Sequence, residues 1–560
     1  MDLEYLKKTG EAPEFLTEEG YLTLSRGYLL KEETPKQMYK RLAKSANSYT
    51  KDKDMEDRFF EVMWKNWLCP ASPICSNLGT DRGLPISCFS VHPTDSLDSI
   101  GYKMYEMMQL MKAGGGLNYY LGDIRGRGKE IKNNGVSAGV VPWAKICDSI
   151  TTSTNQGNVR RGAAVVSLPI DHTDIDEFLD IRRPTGDVNN RCMNLNHGIC
   201  IPDSFMQDAL DGNKNNQDIW SKVLKTREET GEPFMFFSDN VNKANPQMYK
   251  DKGMTVSSSQ LCQEITLFTD ENHSFVCCLS SMNLMRYNEW ENTDAVFVAN
   301  YFLDCVMQEF IEKAKNLPGL ECAVRFAEKS RAVGLGVLGW HSLLQSRMIP
   351  FDSFDAMMLN GKIFKYIKEE SDKASKYLAE KYGEPEWCQG YGVRNTHRCA
   401  VAPTVSNSLI SGGFSAGIDP WAANVFVQGS AKGTFIRKNI ELQQLLIKLN
   451  KDTEEVWKSI SQNDGSVQHL DFLSDNEKEV FKTAREINQM ALIKQAAQRQ
   501  KYIDQGQSLN IFFTHDADPK YIHDVHIEAW KSGCKTLYYM RSEGVAKSKI
   551  DYKECRSCEG

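Results

Sequence analysis

A chain of 560 residues, 41% hydrophobic and 25% charged, is ordinary globular material, long enough for a large core or for several domains. Its net charge of −7 and pI near 5.9 argue against a general nucleic-acid-binding surface, which would show as a strongly basic domain. Sixteen cysteines without a secretory signal after Met1-Asp2-Leu3-Glu4 fit a reducing, cytoplasmic compartment, and the most apolar stretch, residues 295–307, is broken by Asn300 and Asp304 and is too short to cross a bilayer.

Residues 1–60 are rich in Lys, Glu and Asp with scattered Leu and Tyr, and Thr34-Pro35 is a helix-start signal, so a short helical lead-in is expected there. From Leu68 to about Cys200, apolar runs such as Ala163-Ala164-Val165-Val166 mix with glycines, as strands and tight loops require; Gly114-Gly115-Gly116 and Gly157 mark turns where backbone can meet a ligand. Gly334-Leu335-Gly336-Val337-Leu338-Gly339 matches a dinucleotide-binding pattern, but it follows the charged, helix-like 324–331 where a buried strand is required, which favours packing glycines. Helical periodicity is clear over 443–449 and 477–499, with strand-like 509–513 after it. The alternation of types predicts an α/β fold without internal repeats, and residues 542–560 are polar enough to form a mobile tail.

The chemistry-bearing residues are cysteines, one carboxylate and a pair of phenols. In Ser259-Gln260-Leu261-Cys262-Gln263-Glu264 the thiol and the carboxylate are two residues apart, which puts both on one face of an extended segment. A lone cysteine is more often a buried packing residue than a reactive one. Here a second thiol pair begins at Cys277, Tyr538-Tyr539 lies near the C-terminus, and Cys555 and Cys558 close the chain as a CxxC. In an intracellular chain such a CxxC points to redox or metal chemistry, and half a zinc site is disfavoured because zinc takes four ligands and no second CxxC or nearby His pair is present. Together these residues suggest redox and radical chemistry.

In this order, the motifs resemble the large, catalytic subunits of class I ribonucleotide reductases, from Ser72 to the C-terminus. The resemblance implies a ten-stranded α/β barrel of the ribonucleotide reductase and glycyl-radical type with a central finger loop. It would span residues 61–541, between the helical lead-in 1–60 and a redox tail 542–560. Cys262 matches the cysteine that becomes a thiyl radical, and Glu264 the glutamate that assists proton transfer at the ribose; Gln260 stands where the family usually has Asn. Cys88 and Cys277 match the reducing pair, Cys277 being favoured over Cys278 by alignment on Leu279-Ser280 and Asn283-Leu284. Cys555 and Cys558 match the tail shuttle, and Tyr538 and Tyr539 the dyad that carries the radical inward.

The resemblance further implies that Ser72, Ser87, Gly114 and the loop Pro403, Thr404, Val405, Ser406, Asn407 and Ser408 bind a nucleoside diphosphate. Asp95, Arg125, Asn155, Gln156 and Arg160 would respond to dNTP or ATP effectors. No cofactor is expected in this chain: the radical would come from a metal-containing small subunit, electrons from thioredoxin or glutaredoxin, and the large subunits would form a homodimer. With Ser72 already catalytic, no room is expected for the ATP-sensing domain that opens many family members. An adenosylcobalamin-dependent reductase and a non-catalytic thiol-rich binding protein are the alternatives.

Overall fold

The computed structural model describes residues 2–50, 52–157, 161–430 and 433–542. Four helices open the chain: α1 Leu3–Lys8, α2 Glu18–Gly27, α3 Pro35–Asn47 and α4 Met55–Trp64. The Thr34 signal acts as a cap, because Thr34 Oγ1 accepts from Gln37 N–H at 3.2 Å and Gln37 Oε1 accepts from Thr34 N–H at 2.9 Å, closing a capping box before Pro35. On α3, Met38, Tyr39, Leu42, Ala43 and Ala46 recur at helical spacing and are buried, and on α4 Phe59 packs edge-on against Phe302 at 5.5 Å. The helical segment therefore shares one apolar core with the strands and helices beyond residue 67. Helix α4 runs on past residue 60 to Trp64, and the first strand begins at Leu68.

The strands are β1 Leu68–Pro70, β2 Cys88–Val91, β3 Gly116–Tyr120, β4 Ala163–Pro169, β5 Asn196–Ile201, β6 Phe234–Phe237, β7 Phe275–Asn283 and β8 Val333–Leu338. Beyond them lie the hairpin β9 Val425–Ser430 and β10 Gly433–Lys438, then β11 Ile511–Phe512, β12 Thr536–Leu537 and β13 Met540–Arg541. Helix α5 Ser72–Asn77 follows β1, α6 Leu97–Lys112 joins β2 to β3, and α7 Val141–Ser153 joins β3 to β4. Such helical crossovers are what parallel neighbours need.

Strands β2, β3, β4, β5 and β6 run parallel in that order. The other half is also parallel: β7 with β8, Leu335 of β8 with Cys399, Val401 with Gln507, and β11 with β13. The halves meet antiparallel at two seams, β2 against β7 and β6 against β12. Among the described residues the hydrogen bonds thus trace two sets of five extended segments into a closed ring, the α/β barrel expected from the sequence. Strands β3 and β7 are buried along their whole length, as parallel strands covered on both faces must be.

Several local expectations differ. The glycine motif at 334–339 is itself strand β8 and the turn into a helix; a Cβ on Gly336 would lie 2.3 Å from the Ala400 carbonyl oxygen and one on Gly334 2.5 Å from Leu279 Cδ2, so these glycines admit close packing. The 477–499 periodicity splits into helices Asp475–Val480 and Gln489–Gln500, because Phe481, Ala484 and Ile487 are buried on irregular backbone and the Asn488 side chain caps the second helix. The strand expected over 509–513 is only Ile511–Phe512. The apolar stretch 295–307 belongs to the buried helix Ala295–Ala314, and among the described residues no helix is long and apolar enough to cross a membrane.

Candidate active site

Between β6 and β7 the chain enters the ring as a loop gripped by polar side chains of the strands. Asn118 of β3 donates to Ser90 Oγ of β2 at 3.0 Å and to Ser258 Oγ at the loop's base at 2.8 Å, while Ser167 of β4 donates to Asn118 Oδ1 at 2.7 Å. The segment 259–264 is not extended as the sequence spacing suggested. It bends over 261–263, with Gln263 at φ +69°, in the left-handed region.

The cause is Gln260, whose Oε1 accepts the backbone N–H of Cys262 at 2.5 Å and of Gln263 at 2.7 Å. The Gln263 side chain donates back to the Gln260 carbonyl at 2.7 Å. The Gln260 carboxamide thus caps the turn, and its Nε2 faces Cys88 Sγ at 3.9 Å. From across the barrel, Ser508 Oγ lies 2.6 Å from the Cys262 carbonyl and 2.9 Å from Glu264 Oε2, joining the two residues, and Gly506 N–H donates to the Glu264 carbonyl at 2.8 Å. Gln260, Cys262 and Glu264 are each 1% exposed.

Cys88 of β2 stands directly opposite Cys277 of β7 in the antiparallel ladder. Cross-strand partners have Cα atoms about 4.5–5.5 Å apart, inside the range a disulfide spans. By strand alternation Cys278 points to the other face of β7 and pairs in register with Val333, with Cys88 and Asp304 both near enough to act on its thiol. Burial pushes both the Cys277 and Cys278 thiols well above their usual range; at Cys277 the Gln505 amide, 3.4 Å from Sγ, acts in the opposite direction. Gly334 leaves room beside Cys277, since a Cβ there would approach Sγ to 3.3 Å.

Tyr538 and Tyr539 lie between β12 and β13, where the strand alternation is broken, so both rings join the cluster formed by Leu261, Cys262, Phe234 and Val165. Their ring centroids are 4.4 Å apart and tilted by 55°. The backbone is pinned by Arg227 Nη2 donating to the Tyr538 carbonyl at 3.0 Å and Tyr539 N–H donating to Asn510 Oδ1 at 3.2 Å. Asn196 donates to Tyr539 Oη at 3.1 Å, and the Arg541 guanidinium sits 4.2 Å from the Tyr539 ring centre.

The residues assigned to substrate fall into two groups. Ser72 opens α5; its Oγ accepts from the buried Tyr28 hydroxyl at 3.1 Å and donates to Asn407 Oδ1 at 3.2 Å, while Asn407 Nδ2 donates to the Pro70 carbonyl at 2.6 Å. Pro403 leads into Thr404, at φ +56°, which starts the short helix Val405–Ile410; Thr404 Oγ1 accepts from Gly417 N–H at 2.7 Å, Ser408 Oγ donates to the Val405 carbonyl at 2.9 Å, and Ser406 is buried. In the other group, the Ser87 carbonyl accepts from Gly116 N–H at 2.7 Å, and Gly114 takes φ +95°, which favours glycine. Since Gly116 pairs with Cys88, this second group borders the thiol pair.

Asp95 and Arg125 form a half-exposed ion pair at 2.6 Å beside a cleft of about 530 Å³ bordered by Asp123, Lys129 and His172. Asn155 and Gln156 follow α7, and Gln156 Nε2 donates to the Arg82 carbonyl at 3.1 Å. Arg160, Cys555 and Cys558 lie outside the described residues. Sequence reasoning missed Ser508, Gln505, Asn118 and Asn196. Each lies far along the chain from its partner, and only the folded barrel brings the two together.

Known proteins share this architecture. A family model described as ribonucleotide reductase, barrel domain, matches residues 86–217, 212–390 and 385–540, and one described as ribonucleotide reductase, all-alpha domain, matches residues 14–83. The ribonucleoside-diphosphate reductase large subunit of Invertebrate iridescent virus 3 is 34% identical over 97% of this chain and 98% of that one. The vaccinia virus (strain Copenhagen) large subunit is 28% identical over 97% and 81%. Among solved structures, the Actinobacillus ureae class Id ribonucleotide reductase alpha subunit superposes with a TM-score of 0.89 at 43% identity, covering 96% of this chain and 99% of that one. These relatives favour the diphosphate-reductase reading over the adenosylcobalamin-dependent and thiol-rich binding alternatives. With the closed ring, the interior turn bearing Cys262 and the facing thiols, they show that the chain belongs to the ribonucleotide reductase family, among its ribonucleoside-diphosphate reductase large subunits.

Proposed function

We propose that Cys262 carries the reaction as a thiyl radical that takes the 3′ hydrogen of a ribonucleoside diphosphate. The 2′ hydroxyl then leaves as water, with Glu264 moving protons at the ribose. Cys88 and Cys277 supply two electrons and two protons and close to a disulfide, and the 3′ hydrogen returns from Cys262, regenerating its radical. The observation that carries this reading is the Cys88 to Cys277 register beside a buried turn in which Gln260 touches both Cys262 N–H and the Cys88 thiol.

The Ser72 to Asn407 link supports a diphosphate site formed by Ser72 and residues 403–408, with Ser87 and Gly114 at the sugar end. Cys555 and Cys558 would exchange with the internal disulfide and be reduced in turn by thioredoxin or glutaredoxin, a task suited to the cytoplasm. The contact of the Tyr538 and Tyr539 rings with Leu261 and Cys262 supports a radical path from a metal-containing small subunit. Exposed Tyr102, Tyr105 and Met108 on α6 and Ile146 on α7 support a homodimer through these helices, with effector dNTP or ATP bound near Asp95 and Arg125 and sensed through 155–160. In this reading residues 1–60 brace the catalytic barrel 61–541, and the chain beyond 541 is the redox tail. The test is Cys262→Ser with the small subunit present: an alcohol O–H is too strong to relay a hydrogen atom, so turnover is lost while substrate binding and folding persist. Steady-state reduction by a fully substituted preparation would reject the assignment.

A further inference from the structure

We propose that Asn196, anchored by Glu232, is a positioning residue that holds the phenol oxygen of Tyr539 by a donated hydrogen bond; this rests on the radical-relay reading of Tyr539 above. Asn196 opens β5, and its one amide nitrogen donates both to Tyr539 Oη at 3.1 Å and to Glu232 Oε1. An amide NH₂ carries two hydrogens, so both bonds form together.

Behind it, Glu232 is 1% exposed and also accepts from His197 N–H at 3.0 Å, with His197 Nδ1 at 3.1 Å and Arg182 Nε at 3.7 Å. Burial alone would raise this carboxyl, but Arg182 and His197 outweigh it and hold it lowered, so Glu232 is an anion that fixes the amide by charge-assisted bonding. In front, Phe234 meets the Tyr539 ring edge-on at 4.8 Å, and Arg541 stacks on the ring. The oxygen therefore has one lone pair engaged and its O–H turned elsewhere.

Oxidation of Tyr539 to the neutral phenoxyl removes one electron and one proton, both passing to the small subunit, whose oxidant is thereby reduced and protonated. Both are replaced by the electron and proton drawn from Cys262 through Tyr538. A fixed donor keeps the phenol in the one orientation from which this exchange with Tyr538 is efficient.

The experiment places a ring-fluorinated tyrosine of low phenolic pKa at position 539 of the full chain and titrates its phenolate absorbance. A donor to the oxygen stabilises the phenolate, so Asn196→Leu raises that pKa by about one unit, a tenfold change in proton affinity. In the chain with natural Tyr539, Asn196→Leu lowers kcat about tenfold with the small subunit and leaves the substrate KM unchanged. Glu232→Gln, which keeps an acceptor for Asn196 but removes its charge, shifts the phenol in the same direction by less and serves if the first variant does not fold. An unchanged phenol titration in the variants overturns the proposal. Full activity of Tyr539→Phe would instead remove the relay reading, an outcome the titration does not depend on.

Discussion

Replacing Gln260 with Leu tests whether the turn that presents Cys262 is built by one side chain. The substitution conserves most of the volume but removes Oε1, the acceptor for the N–H groups of Cys262 and Gln263 at 2.5 and 2.7 Å, and the Nε2 that faces Cys88. Gln260 is 1% exposed, so water cannot replace the lost acceptor in the closed turn. The Gln263 N–H keeps the Gln260 carbonyl at 3.2 Å, whereas the Cys262 N–H loses its side-chain acceptor, and a buried donor left unsatisfied costs about 1–3 kcal/mol. That is enough to open a turn that also holds Gln263 at positive φ. Displacing Cys262 by about 1 Å should lower turnover roughly 100-fold, with the diphosphate KM little changed because the residues proposed to hold the phosphates, Ser72 and 403–408, lie outside the turn. Gln260→Asn keeps the carboxamide and can cap the same amides from a shorter stem, so it should retain most activity. The assay is steady-state reduction of a ribonucleoside diphosphate with the small subunit, alongside urea denaturation. Wild-type turnover by the Leu variant would show that the turn does not depend on this side chain.

Peptide mapping after a single turnover without external reductant should find Cys88 joined to Cys277, their side chains facing across one ladder pair; a Cys88 to Cys278 link would contradict the register. Truncation after Lys553 should spare that turnover and stop thioredoxin-driven cycling. Gly336→Val drives a Cβ to 2.3 Å from the Ala400 carbonyl, backbone that cannot move aside, so it should destabilise by at least about 1–3 kcal/mol and lower the urea midpoint; a neutral effect would refute the close-packing account. His341, His397 and His526 are buried, and loss of hydration pushes each down to about 3. Their depressed values leave stability intact above the unfolded histidine pKa of about 6.5, and it is lost as pH falls through that value toward 3, by up to about 1.4 kcal/mol per pH unit for each. Urea unfolding at pH 7, 6 and 5 checks this, and a flat profile would contradict it.

The motifs were legible in the sequence because they are local: Cys262 with Glu264, Tyr538 with Tyr539, and the Thr34 cap are short patterns, and the roles proposed for the first two rest on their residue types. Helices with strong periodicity and a capping residue, such as α3, were legible for the same reason. Spacing misled where tertiary contacts overrode local preference. The Cys262 segment looked extended, but two amide bonds to Gln260 bend it, and the helix read over 477–499 breaks because burying Phe481 and Ala484 outweighs continuing its hydrogen bonds. Strand register was decided only by folding, since it depends on how residues hundreds of positions apart satisfy one another's backbone groups inside a closed ring. That register sets Cys88 against Cys277 and turns Cys278 away, and the same closure brings Ser508 to Cys262 and Asn196 to Tyr539.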